Sequence, residues 1–103
     1  MTNRYFVIKA AQAKAHRTRL ESAAEDMREV AKQFGVKIMF FGSFVEGHVD
    51  GRSDLDVAIP DGLTIEDRRR LEEALERKAA SQGICVDMIS LSRAEALGAA
   101  LVS

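Results

Sequence analysis

Hydrophobic positions recur at three- and four-residue steps through the first third of the chain. Leu20, Ala23, Ala24, Met27, Val30, Ala31 and Phe34 form one apolar stripe, which predicts a helix over about residues 9–34. Gly35 stands where a helix-terminating glycine would stop it. Residues 36–41 are then β-branched or aromatic at most positions and predict a buried strand, cut off by Gly42. Residues 43–51 predict a turn or one short helical piece, broken by Gly47 and Gly51. Residues 54–59 alternate with period two: Asp54, Asp56 and Ala58 on one face, Leu55, Val57 and Ile59 on the other. Pro60, Asp61 and Gly62 form a turn signal.

The second half repeats the change of period. Thr64, with Asp67 three residues on, predicts a helix start; Leu71, Ala74, Leu75 and Ala79 give the buried stripe and Gly83 the stop. Residues 84–89 predict a third strand with Asp87 near its middle. Ser92, Arg93, Ala94 and Glu95 form a capping box for a last short helix with Leu97, Ala100 and Leu101 as its apolar positions. The order helix, strand, loop, strand, helix, strand, helix predicts an α/β domain with a small sheet flanked by helices on one or both faces.

A chain of 103 residues suits one domain, spanning residues 1–103, with a modest core. A net charge of -1 supplies no global basic field, and five Phe, one Tyr and no Trp argue against a stacking platform, so nucleic acid is disfavoured as a partner. The single Cys85 excludes an internal disulfide, fits a reducing compartment and, between Ile84 and Val86, is expected to be a buried small hydrophobe. No segment approaches the ~20 apolar residues of a membrane span, and residues 5–8 are too short for a signal-peptide core, so a cytoplasmic protein is expected. That same run either packs as an extra strand or helical turn or contacts a partner. Lys14, His16, Arg17 and Arg19 in the first helix, and Arg68, Arg69 and Arg70 in the next long one, read as solvated faces, with a partner or nucleic-acid patch as the other reading. His16 and His48, with one cysteine, are too few for zinc.

The chemistry concentrates between Gly42 and Asp87. Asp54 and Asp56 face the same way, their Cα atoms roughly 6.6 Å apart along a strand. Two such carboxylates repel unless a cation lies between them, which points to Mg²⁺ or Mn²⁺. Asp87 reaches the same face if the third strand lies beside the second, and a carboxylate in an apolar strand is costly to bury unpaired. The plainer alternative is the solvated face of a half-buried sheet. Gly42 and Ser43 directly follow a buried strand, where a glycine permits close backbone approach and free amides can face a phosphate; a simple helix start is the alternative. No Walker-type Gly-Lys-Ser/Thr occurs.

Taken together, Gly42-Ser43, a further glycine at Gly47, and Ser53-Asp54-Leu55-Asp56 at the head of a strand resemble the signature of the DNA polymerase beta-like nucleotidyltransferase superfamily in its smallest form, the minimal nucleotidyltransferases. The resemblance spans roughly residues 36–89 and includes the preceding helix and the later strand with its lone aspartate. It implies a nucleotidyltransferase fold. It implies that Gly42 and Ser43 hold the triphosphate of ATP, that Asp54 and Asp56 hold two Mg²⁺ ions (Mn²⁺ as a substitute), and that Asp87 completes the metal site and activates an acceptor hydroxyl. The implied reaction is transfer of a nucleoside monophosphate, AMP foremost, with pyrophosphate leaving. Members also pair with an all-helical HEPN-type toxin as the antitoxin of a two-gene system, neutralising it by binding or by adding AMP to a tyrosine. The departure is Phe44-Val45-Glu46, where minimal members commonly carry basic residues; Arg52 and His48 are the substitutes at hand. A non-catalytic antitoxin with a degenerate nucleotide site is therefore the second reading, and a structural α/β subunit the third. The oligomeric state is left open, a homo-oligomer included.

Overall fold

The computed structural model describes residues 4–103, with side chains from residue 7 onward. The elements are α1 (Arg4–Gln33), β1 (Met39–Phe41), α2 (Ser43–Glu46), β2 (Leu55–Ile59), α3 (Ile65–Ala80), β3 (Val86–Ser90) and α4 (Leu91–Ala96). This is a small α/β protein with a three-stranded mixed sheet and four helices among the described residues. The sheet order is β1-β2-β3, with β1 antiparallel and β3 parallel to β2. No helix among the described residues is long and apolar enough to cross a membrane.

The predicted stripe makes the core. Leu20, Ala23, Ala24, Met27 and Ala31 of α1 and Leu71, Leu75 and Ala79 of α3 cluster with Phe40, Leu55, Val57 and Ile59 of the strands. Both long helices thus cover one face of the sheet. The other face is divided. Ala58 at its far end is fully buried, as is Ala94 of α4, which packs against β2 and β3. The row nearer the start of β2, containing Asp56, is left half open.

Helix α1 ends as its glycine signals: Gly35 takes φ +74, Val36 N–H donates to the Ala31 carbonyl and Gly35 N–H to that of Lys32. At α3 the Thr64 side chain accepts from the Asp67 amide at 3.1 Å, the predicted cap.

Several expectations are corrected. Helix α1 begins at Arg4, well before residue 9, so the described part of the 5–8 run is helical. Phe34 falls beyond the helix end and is exposed, and Val30 is only half-buried. Strand β1 is three residues long, beginning at Met39. The cap of α4 is Ser90, whose hydroxyl accepts from the Arg93 amide; the amide and hydroxyl of Ser92 instead both donate to the Asp61 carboxylate at 2.9 Å. That shift ends α4 at Ala96, and Leu97 and Ala100 lie exposed. The segment after α4 returns to the sheet, where Val102 bridges Phe40 on the outer edge of β1. Cys85 is exposed: alternation turns Ile84, Val86 and Met88 toward the core, and Cys85 shares the outward face with Asp87.

Candidate active site

The register of the sheet builds the site. Phe41 pairs with Asp56, and Asp56 pairs with Asp87, so the three lie in one row across the strands on the face away from the two long helices. Asp54 sits two residues before Asp56, immediately ahead of β2, on the same side by alternation. The sequence expectation that these three aspartates share a face agrees with this register. Its premise about Asp87 does not: β3 is an edge strand and Asp87 is exposed, so its carboxylate incurs no burial cost. Asp56 is half-buried and Asp54 exposed.

Gly42 follows Phe41 directly and lies against Asp56. Its backbone takes φ +78 and ψ -156, a combination open essentially to glycine alone. A Cβ placed there would run into Oδ2 of Asp56 and lie 2.9 Å from its Cγ. Glycine is thus required twice, by conformation and by the carboxylate it abuts. The Gly42 carbonyl accepts from the Val45 and Glu46 amides, and the one-turn helix α2 closes at Gly47. The amides of Ser43 and Phe44 and the Ser43 hydroxyl make no hydrogen bond within the described residues. These are the groups that an anion at this turn would meet.

Electrostatics sets Asp56 apart. Burial raises its pKa above the ordinary carboxylate value, and the charges of Asp87 and then Asp54 push it further up. None of the described ion pairs involves these three aspartates. The donor set is all carboxylate oxygen, which suits a hard divalent cation, and such a cation would relieve the repulsion at Asp56. Among the described residues no group of three or more His, Cys, Asp or Glu side chains is placed to hold a metal ion together, so Asp54, Asp56 and Asp87 share a face without forming a three-carboxylate site. Mg²⁺ does not require one: it is commonly held by one or two carboxylates, with water and substrate phosphates completing its shell.

The residues expected to stand in for a basic loop take part in none of the described ion pairs. His48 and Arg52 are exposed, and Arg52 lines a groove between the first turns of α1 and residues 49–52. Phe44 and Val45 pack against the core, Phe44 meeting Phe40 edge-on with ring centroids 6.2 Å apart. Their apolar character has a packing reason, and Glu46 points to solvent.

Two supporting features escape a reading by motif. Asp50 and Ser53 bracket a tight turn before β2: the Asp50 carboxylate accepts from the Arg52 amide at 2.7 Å, and Ser53 Oγ accepts from the Asp50 amide at 3.0 Å. His16 is buried and joins α1 to this turn. Arg19 donates to its Nδ1 at 3.0 Å, so Nε2 carries the proton and donates to the Ser53 carbonyl at 2.7 Å. That bond anchors the peptide leading into Asp54. The available signal was spacing, since His16 precedes Leu20 by four residues on the apolar stripe.

Comparisons of the chain with protein-family models, with curated proteins and with solved structures find no match.

Proposed function

We propose that this chain is a metal-dependent nucleotidyltransferase of the minimal, polymerase beta-like kind, moving AMP from ATP to a hydroxyl of a partner protein. The observation that carries this reading is the contact of Gly42 with Asp56 in a row completed by Asp87. A solvated strand of aspartates does not call for a glycine-only turn against one of them; a phosphate site abutting a metal site does. Asp54 and Asp56 would hold Mg²⁺, which supplies neutralisation of the triphosphate and polarisation of the reacting oxygens. The Gly42-Ser43 turn offers the free Ser43 and Phe44 amides and the Ser43 hydroxyl to the phosphates. Asp87, exposed at the sheet edge, is open to an acceptor from outside and takes the proton of its hydroxyl. In this reading the acceptor and binding partner is a helical HEPN-type toxin, and the chain is its antitoxin.

The absence of cations from the turn favours a second reading, in which the same fold neutralises that partner by docking alone and the nucleotide site is degenerate. Calorimetric titration of ATP in Mg²⁺ and then in EDTA, repeated on Asp54→Asn/Asp56→Asn, tests the site. Metal-dependent binding lost in the double mutant supports it; equal binding by mutant and wild type overturns the metal assignment. Transfer of label from α-labelled ATP to a purified HEPN-type partner then separates transfer from docking.

A further inference from the structure

The turn that leads into the carboxylate row is bonded mostly to itself. The Asp50 carboxylate accepts from the Arg52 amide, Ser53 Oγ accepts from the Asp50 amide, and the Ser53 amide reaches the Asp50 carbonyl only at 3.4 Å. Among the hydrogen bonds described for residues 50–53, one leaves the turn: His16 Nε2 donates to the Ser53 carbonyl at 2.7 Å, across 37 residues of sequence. His16 is 6% exposed, the one buried polar side chain among the described residues. Its place on the apolar stripe of α1 would suit a Leu or Met equally well, and a buried imidazole is costly unless it is bonded. Both ring nitrogens are bonded. A guanidinium can only donate, so Arg19 at 3.0 Å makes Nδ1 the acceptor and leaves the proton on Nε2, facing Ser53.

We propose that His16 is a positioning residue of the carboxylate row, through which helix α1 holds Asp54 beside Asp56. Asp54 is exposed and takes part in no described ion pair or hydrogen bond, so its backbone alone places its carboxylate. That backbone is held at two points. On one side Leu55 is buried, and its amide donates to the Cys85 carbonyl at 3.1 Å. On the other side His16 holds the Ser53 carbonyl, which belongs to the same peptide unit as the Asp54 amide. Without the second point Asp54 becomes the frayed end of β2, and the turn is left with Val49 as its packing contact to the core. Asp56 needs no such support, because it sits within the strand between Phe41 and Asp87. Resting on the nucleotidyltransferase reading, this has a consequence for the metal: an outer partner that orients a ligand-bearing peptide raises the affinity for the ion.

Two measurements keep the positioning role apart from that reading. In EDTA, ¹⁵N relaxation gives the order parameters of the amides of residues 50–54 without metal or nucleotide. His16→Leu keeps apolar volume and loses both bonds; its order parameters should fall from the ~0.85 of rigid backbone toward ~0.6. His16→Met, which fills irregular space, serves if His16→Leu does not fold. His16→Gln, whose amide retains a donor for Ser53 and an acceptor for Arg19, should restore the wild-type values. Leu20→Val shortens a fully buried side chain one turn along the same helix and should lower stability without moving them. Titration with Mn²⁺ alone should then show about tenfold weaker binding by His16→Leu, with His16→Gln and Leu20→Val close to wild type. Order parameters unchanged in the apolar variant overturn the proposal. So does an equal fall in Leu20→Val or in His16→Gln, or equal Mn²⁺ affinity in wild type and His16→Leu. A wild type that binds no Mn²⁺, with the turn loosened by His16→Leu and restored by His16→Gln, ends the metal reading and leaves the positioning of Asp54 standing.

Discussion

The two faces of β2 follow opposite rules within five residues. Leu55, Val57 and Ile59 point under α1 and α3 and are fully buried, so their role is apolar area and close packing. Asp54 and Asp56 point the other way, beside Asp87 and beneath Gly42, where three like charges meet without a cation among the described ion pairs. The strand is therefore stabilised on one side and strained on the other. The difference teaches that the carboxylate face is tolerated because the core face over-determines the position of the strand.

The largest effect should come from breaking the core face. Leu55→Ala removes a fully buried side chain at the head of β2 and should cost about 2–5 kcal/mol in urea denaturation. Because Leu55 lies between Asp54 and Asp56, this variant should lose site geometry along with stability. Gly42→Ala acts from the opposite face. Its backbone lies in a region essentially closed to other residues, a strain of about 1–3 kcal/mol, and its methyl group collides with Asp56. A Gly42→Ala protein of unchanged stability and unchanged Mg²⁺-dependent ATP binding would remove the argument that the turn is built around the carboxylate.

Ser43→Ala should leave the core face untouched. The hydroxyl has no hydrogen bond within the described residues, so unfolding should move little, while ATP binding should weaken by about 1 kcal/mol or slightly more. Calorimetry and denaturation on one preparation separate the two. Equal affinity in wild type and variant would place the phosphates elsewhere.

This contrast was legible in the sequence because period two is a local property. The alternation of residues 54–59 named both faces of β2, and the lone aspartate of the third strand joined the row once β3 proved parallel and in register. What was not legible depends on contacts distant in sequence. Cys85 reads as buried between Ile84 and Val86, but an edge strand with one covered face turns every second residue outward. Ser92 heads a good capping box, yet Asp61, 31 residues earlier, takes its amide and hydroxyl and leaves the cap to Ser90. His16 could not be assigned from spacing alone, because its partner is a carbonyl 37 residues away. The basic residues of the first helix were visible in the sequence, but that α1 extends beyond the core is a fact of packing.

The smallest effect, and the one that most sharpens the contrast, is the pH dependence of Asp56. Burial first, then Asp87 and Asp54, raise its folded-state pKa above the ordinary 3.8. Between these two values the folded protein holds more protons at this group than the unfolded chain does. Stability contributed by this group therefore falls as pH rises through that window, and the full cost is present above the raised pKa. In EDTA, Asp56→Asn should remove that slope and leave the protein slightly more stable than wild type at neutral pH. Leu55→Ala, destabilised on the other face, should keep the slope. Divalent cation reverses the sign, since it binds the ionised carboxylate: added Mg²⁺ should stabilise wild type increasingly as pH rises and leave Asp56→Asn nearly unmoved. Thermal unfolding from pH 4 to 7, with Mg²⁺ and with EDTA, reads both slopes. If wild type and Asp56→Asn run parallel in both conditions, Asp56 is an ordinary solvated aspartate and the two faces of β2 differ only in hydrophobicity.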